Sequence, residues 1–154
     1  MGVIDDRLRD LGVTLPEPIA PVANYVPFVV HGDTVYISGQ ISGGPDGLFT
    51  GRLGEGLDIA GGQAAARLCG INLITQMKAA CGGDLDRVAR IVKLGGFVNA
   101  APDFVDIPQV INGCSDLMVD VFGDAGRHAR SAVACPTLPL GVAVEVDCVF
   151  ALKR

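Results

Sequence analysis

The sequence is poor in the residues that mark several common classes of protein. Its 154 residues include no tryptophan, only two histidines and 5% aromatic residues. The net charge of −5 disfavours non-specific binding to nucleic acid, because phosphate contacts require a basic surface. The five cysteines are odd in number and form no CxxC pair, which argues against a disulfide framework and a zinc site. We interpret them as small core residues, namely Cys69, Cys81, Cys114, Cys135 and Cys148.

Long apolar runs and a secretory signal are also missing. No apolar run reaches the roughly 18 to 20 residues that a membrane span requires. The first residues, MGVIDDRLRDLG, carry acids where a signal peptide has a basic end followed by an apolar stretch. We therefore expect a cytoplasmic protein without a membrane partner.

The residues that are present are typical of one globular domain. Hydrophobic residues make up 49% of the chain, and no repeat, linker or low-complexity tract interrupts it, which predicts a single domain over residues 1–154. Residues 1–24 form an N-terminal extension of this domain. Apolar residues from Ile4 to Leu11 have the spacing of a short amphipathic helix, and the prolines that follow predict an extended segment up to Phe28.

Strand and helix patterns alternate along the rest of the chain. They predict two strands about a turn at residues 31–33 and a buried strand over residues 87–100. The Ala- and Leu-rich segment 58–80 and the apolar repeat over residues 106–122 predict two long helices. The glycine-rich segment 42–56 lacks the Lys-Ser/Thr end of a P-loop, so we interpret it as a surface loop.

This order of elements predicts an α+β domain in which two long helices pack on one face of a sheet. The other face of the sheet then has no helix to cover it. Because the chain is rich in hydrophobic residues, we expect other copies of the chain to close that face.

Two charged residues lie in the apolar stretch GRHARSAVACPTLPLGVAVEVDCVF, residues 126–150. If residues 142–150 form a strand, Glu145 lies at its centre, on the face opposite to Val144 and Val146. A carboxylate there requires a cation, hydrogen-bond donors or water, or it becomes protonated. Arg130 is a candidate partner. The pair is a structural salt bridge, or Glu145 faces solvent, or Arg130 binds a carboxylate ligand while Glu145 handles water.

Three motifs resemble the RidA/YjgF family of reactive intermediate deaminases, also known as the L-PSP endoribonuclease family. They are VYISGQI at residues 35–41, FVNAAPDF at 97–104 and ARSAVACPTLPLGVAVEVD at 129–147. The last motif is the most specific. The resemblance extends from about Tyr25 to Lys153 and implies a chorismate-mutase-like α+β fold with a mixed sheet, assembled as a homotrimer with ligand sites between subunits.

The resemblance also implies roles for individual residues. Arg130 matches the arginine that binds the carboxylate of a 2-imino or 2-enamino acid, helped by the backbone N–H of Ala132. Glu145 matches the glutamate that positions and activates water. The other matching pocket positions are Tyr25, Ser38, Gly39 and Asn112. From the residues alone, Tyr25 can equally cap the core, Ser38 and Gly39 can form a strand-end bulge, and Asn112 can face solvent.

This chain also departs from the family pattern. His128 stands where common members have a proline, Ala132 where many have a cysteine, and the segment 103–126 is longer. These departures indicate a longer, divergent branch of the family. His128 can titrate near the site, but its position alone does not make it catalytic.

The resemblance therefore implies a cofactor-independent deaminase, without a metal ion, that hydrolyses 2-imino or 2-enamino acids to 2-keto acids and ammonia. An alternative is a trimeric protein that binds small carboxylates without turnover. An endoribonuclease is a weaker alternative, because an acidic chain with few aromatic residues does not indicate RNA contacts. The expected partners are a small carboxylate ligand and further copies of the chain, with no nucleic acid.

Overall fold

A five-stranded mixed sheet organises the chain in the computed structural model, which describes residues 2–19 and 23–154. The helices are α1 (Val3–Asp10), α2 (Ile59–Ala80) and α3 (Ile107–Phe122), and three short 3-10 turns occur at Leu85–Arg87, Gly123–Gly126 and Pro139–Gly141. The strands are β1 (Phe28–His31), β2 (Thr34–Ile41), β3 (Gly43–Gly44), β4 (Gly47–Leu48), β5 (Arg52–Leu53), β6 (Gly56–Leu57), β7 (Val88–Asn99), β8 (Ala129–Cys135) and β9 (Val144–Leu152).

The main sheet has the strand order β1-β2-β9-β7-β8, so β8 is one of its two edge strands. Neighbouring strands are antiparallel except for β7 and β8, which run parallel. The predicted α+β class with a mixed sheet is therefore confirmed. Both long helices also lie where the sequence predicts them, and the side chain of Asp58 caps α2 by accepting a hydrogen bond from the Gly61 amide at 2.8 Å.

The two faces of the sheet differ in burial. Every second residue of β9, from Val144 to Phe150, is at most 1% exposed and packs in one hydrophobic core with residues of α2 and α3. The other face, here called the open face, leaves apolar side chains half exposed, with 51% for Tyr36 and 49% for Val133. The predicted alternation of β9 is therefore confirmed, and no helix in the described ranges covers the open face.

The N-terminal helix is held on the domain by specific polar contacts. Asp86 accepts hydrogen bonds from the backbone amides of Val3 and Ile4, both at 2.9 Å, and so satisfies free donors at the start of α1. Asp5 forms an ion pair with Lys78 of α2 at 2.8 Å. The predicted helix is confirmed, whereas part of the proline-rich segment, residues 20–22, lies outside the described residues.

Two predictions about the first half of the chain need correction. The glycine-rich segment is not a loop throughout, since β3 and β4 form a small hairpin and β5 and β6 pair in parallel. The turn between β1 and β2 is also tighter than predicted, because His31 still pairs with Thr34 and only two residues remain in the turn.

Among residues 2–19 and 23–154, no helix is long and apolar enough to span a membrane.

Candidate functional site

Arg130 lies on the helix-covered face of the sheet, at the edge formed by β8. In the register of β8 with β7 it pairs with Leu94, which is fully buried. Its Nη1 donates to Asn112 Oδ1 at 2.8 Å and to Ser115 Oγ at 3.1 Å, both on α3. The guanidinium is therefore fixed against the helix by two side chains one turn apart.

His128 extends this group of polar side chains. Its Nε2 lies 2.9 Å from Ser115 Oγ, and its Nδ1 lies 2.6 Å from the carbonyl oxygen of Gly126. Burial lowers the pKa of His128, and the positive charge of Arg130 lowers it further, against a hydrogen bond to the Gly126 carbonyl oxygen that raises it. We call Asn112, Ser115, His128 and Arg130 the arginine cluster.

Glu145 lies on the open face, at the centre of β9 and next to β2. A Cβ atom on Gly39 would collide with the Glu145 carboxylate, so the carboxylate occupies the space that a side chain at position 39 would take. Burial raises the pKa of Glu145, and the negative charge of Asp147 raises it further. The group is thus a half-buried carboxyl that binds its proton more tightly than an exposed glutamate does.

Asp147 is the next residue of β9 on the same face. Its carboxylate lies over Gly95 of β7 in the same way as Glu145 lies over Gly39. Burial raises the pKa of Asp147, while a backbone hydrogen bond from Gly95 and the charge of Lys93 act in the opposite direction. Glycines on both sides of β9 therefore make room for two neighbouring carboxyl groups.

Ser38 and Gly39 form a β-bulge in β2. The register with β9 shifts between Ile37 and Gln40, so that both residues lie opposite Asp147. The bulge lies inside the strand, not at its end. Ser38 Oγ donates to the carbonyl oxygen of Val26 at 2.7 Å, which ties β2 to the segment that carries Tyr25. We call Ser38, Gly39, Glu145 and Asp147 the glutamate cluster.

The sheet separates the two clusters within one chain. Glu145 pairs with Phe97, on the open face, while Arg130 pairs with Leu94, on the covered face. None of the ion pairs found in residues 2–19 and 23–154 includes Arg130 or Glu145. A structural salt bridge between Arg130 and Glu145 inside one chain, one of the alternatives considered from the sequence, is therefore wrong.

The remaining predicted positions fall into the same two groups. Ala132 follows Arg130 by two residues on β8 and shares its face, and Asn112 contacts the guanidinium instead of facing solvent only. Tyr25 is 55% exposed and lies in the segment that Ser38 anchors. It therefore does not cap the core.

Sequence reasoning missed Ser115 and did not assign a role to Asp147. The signal for Ser115 was its spacing, because Asn112 and Ser115 lie three apart and so share one face of a helix. The apolar repeat of α3 predicts only the buried face of the helix, which is not the face of Asn112 and Ser115. For Asp147 the signal was its two-residue spacing from Glu145, which places both on one side of a strand.

Comparison with known proteins identifies similar sequences and structures. Residues 5–152 match the family model "YjgF/chorismate_mutase-like, putative endoribonuclease". Protein TCP17 of Trypanosoma cruzi is 48% identical over 155 residues, which cover 99% of this chain and 96% of TCP17.

Two solved structures are also closely similar. Protein Atu1372 of Agrobacterium tumefaciens, of unknown function, is 44% identical with a TM-score of 0.90, covering 98% of this chain and 94% of that one. A "putative endoribonuclease" of Shewanella oneidensis is 35% identical with a TM-score of 0.93, covering 98% of this chain and 100% of that one.

Proposed function

Because the chain belongs to the YjgF family, which has the YjgF/chorismate-mutase-like α+β fold, we propose that it hydrolyses 2-imino or 2-enamino acids to 2-keto acids and ammonia. The observation that carries this proposal is the pair of clusters. One holds a guanidinium in a fixed orientation, and the other holds a carboxyl group with a raised pKa. Together they supply the two groups that this reaction requires, a carboxylate clamp and a proton acceptor.

The arginine cluster supports the role of Arg130 as the clamp. Asn112 and Ser115 both accept from Nη1, and in the described part of the chain Nε and Nη2 have no protein acceptor. Two donors of a planar guanidinium therefore stay available for the two oxygens of a substrate carboxylate. The same edge strand, β8, carries Ala132 two residues further on, and its backbone N–H is an additional donor to the carboxylate in this proposal.

The glutamate cluster supports the role of Glu145 in moving a proton. Water adds through its oxygen to the imine carbon, and Glu145 takes one of the water protons. That proton passes to the nitrogen and gives an aminol. A second proton then moves from the aminol hydroxyl to the nitrogen through the same carboxylate, the C–N bond breaks, and ammonia leaves as the C=O bond forms. A carboxyl group whose pKa is raised towards neutrality is better matched to this transfer than an ordinary glutamate. No step needs a cofactor.

One chain cannot place both clusters around one ligand, because the sheet lies between them. We therefore propose a homotrimer in which each site combines the arginine cluster of one copy with the glutamate cluster of the next. The exposed apolar side chains of the open face, such as Tyr36 and Val133, support burial against another copy. Light scattering tests this part directly, and a 15.9 kDa species at micromolar concentration would contradict it.

A second candidate is binding of small carboxylates without turnover. E. coli TdcF, which is 27% identical with a TM-score of 0.58 and covers 91% of this chain and 94% of its own, was solved with bound serine. Serine carries a carboxylate but no imine. The same arginine cluster serves both candidates, so only an assay of turnover separates them.

The test generates 2-aminoacrylate in situ with a lyase and follows pyruvate and ammonia with and without the protein. The deaminase proposal expects faster release of both products with the wild-type protein than in the spontaneous reaction. Release at the spontaneous rate, together with measurable pyruvate binding by calorimetry, would support the binding protein instead. Absence of both activities would reject both candidates.

A further inference from the structure

Four hydrogen bonds connect the backbone of Gly126 to α3 through the arginine cluster. They join the Gly126 carbonyl to His128, His128 to Ser115, Ser115 to Arg130, and Arg130 to Asn112. We propose that His128 is a positioning residue that acts through Ser115 to hold the Arg130 guanidinium in the orientation that binds a carboxylate. This proposal rests on the carboxylate-clamp role of Arg130 stated above.

The groups at the two ends of this series of hydrogen bonds determine where each proton lies. A carbonyl oxygen only accepts, so His128 Nδ1 carries the hydrogen that it shares with Gly126. In a neutral imidazole Nε2 is then an acceptor, and the Ser115 hydroxyl donates to it. Arg130 has only donors, so Ser115 Oγ must accept from Nη1. His128 thus fixes the hydroxyl hydrogen on one side and leaves a lone pair of Ser115 for Arg130.

Burial and the charge of Arg130 favour this neutral state, since both lower the pKa of His128. A charged imidazolium would instead donate from Nε2 to Ser115 and leave the hydroxyl hydrogen without its acceptor. It would also place a second cation beside the guanidinium.

Without the Nε2 acceptor, Ser115 has an alternative that competes with Arg130. A serine inside a helix can donate to the backbone carbonyl one turn earlier, which for Ser115 is that of Ile111. Rotation towards that carbonyl turns the lone pairs of Oγ away from Arg130. The guanidinium then keeps only the contact to Asn112 and regains freedom to rotate.

Two substitutions at His128 give the main test, one that keeps a hydrogen-bond acceptor for Ser115 and one that removes it. Asparagine can still donate to Gly126 but is too short to reach Ser115, whereas glutamine can place its amide oxygen where Nε2 lies. Calorimetric titration with pyruvate is expected to show about fivefold weaker binding for His128→Asn and less than twofold change for His128→Gln. His31→Asn, at the other histidine, which is exposed, is the matched control and should bind like wild type.

A double-mutant cycle separates action through Ser115 from a general effect on the fold. Ser115→Ala should weaken binding about as much as His128→Asn, and the double variant should be no weaker than either single variant, because the two residues act in series. Additive losses would overturn the proposal, and so would wild-type affinity in His128→Asn. Melting temperatures of the variants identify any loss that comes from unfolding.

The tautomer gives a readout that does not depend on ligand binding. Long-range proton–nitrogen NMR spectra of the imidazole should show His128 protonated at Nδ1 and bare at Nε2 at neutral pH. A proton on Nε2 would overturn the proposal even if no carboxylate binds. If the expected tautomer is found and pyruvate binds neither the wild type nor any variant, the clamp role of Arg130 fails and, with it, the positioning role of His128.

Discussion

The arginine and glutamate clusters are built in opposite ways. The guanidinium of Arg130 is held by two side-chain acceptors, and one of these is held in turn by His128. The carboxylate of Glu145 accepts no hydrogen bond from the described residues and has a raised pKa. The chain thus fixes the guanidinium of Arg130 in one orientation and, in the part of it that the structure describes, gives the Glu145 carboxylate no hydrogen-bond donor. We infer that the glutamate cluster is completed from outside the chain, by water, a ligand or a neighbouring copy.

This difference predicts that the largest kinetic effect comes from Glu145. Glutamine keeps the shape of the side chain but cannot take a proton from water, so Glu145→Gln should lower the rate of imine hydrolysis by about 10² or more. Binding of pyruvate should change little, because the clamp lies in the other cluster. Steady-state kinetics beside calorimetric titration measures the two effects. Asp103→Asn, which removes a carboxylate at an exposed position outside both clusters, is the control, and unchanged turnover in Glu145→Gln would make the glutamate structural.

Arg130→Lys should have the opposite profile. Lysine keeps the positive charge but replaces the planar fork with a single ammonium group that cannot bond Asn112, Ser115 and both carboxylate oxygens in one geometry. We expect about tenfold weaker pyruvate binding, or ~1.4 kcal/mol, with the fold retained. Arg127→Lys, at an exposed position nearby, should bind like wild type. Equal affinities for Arg130→Lys and wild type would remove Arg130 as the clamp.

Gly39→Ala tests the glutamate cluster by steric means. The backbone of Gly39 does not have a positive φ, so alanine fits it, but the new Cβ collides with the Glu145 carboxylate. Displacement of this group should lower turnover by about tenfold and leave pyruvate affinity intact. Gly43→Ala is the matched control, because its Cβ would meet only the Leu48 side chain at 3.4 Å. Equal turnover in both variants would show that the position of Glu145 does not limit the reaction.

The sequence was sufficient to predict the elements but not the two clusters. Strand alternation alone assigned the faces of β9, because residues two apart in a strand always share a side. The face of Arg130 depends instead on the parallel register of β8 with β7, and this register pairs residues about 36 positions apart. No local pattern carries that information. From the sequence alone, Arg130 and Glu145 are therefore candidates for one salt bridge, although the sheet separates them.

Local sequence patterns also hid the residues that support Arg130. Ser115 lies on α3, and the strong apolar repeat of α3 is sufficient to predict a helix without any polar site on it. The role of Ser115 depends on contacts with Arg130 and His128, which lie beyond the turn that follows the helix. From the sequence alone a bulge at Ser38 is one of two alternatives, because a bulge depends on the pairing of two strands that are over a hundred residues apart. The resemblance to the family implies most positions of the candidate site, and the structure places Arg130 and Glu145 on opposite faces of the sheet.

The smallest expected effect is a change in stability with pH at Glu145. Because the pKa of Glu145 is raised in the folded chain, its contribution to stability is complete below the usual glutamate pKa of about 4.3 and is lost as pH rises through the folded value. Glutamine resembles the protonated form at every pH. At pH 7 the melting temperature of Glu145→Gln should therefore exceed that of wild type by about 1–3 °C, and the difference should vanish near pH 4.

Thermal melts of both proteins at the two pH values measure this, with Asp103→Asn on the surface as a control for the change in net charge. The sign of the difference in melting temperature at pH 7 shows whether the Glu145 carboxylate has a positive partner in the assembled protein. A higher melting temperature means that the Glu145 carboxylate lacks a cation in the assembled protein. A lower one would mean that a neighbouring copy supplies a positive partner, and the raised pKa of the isolated chain would then not describe the assembly.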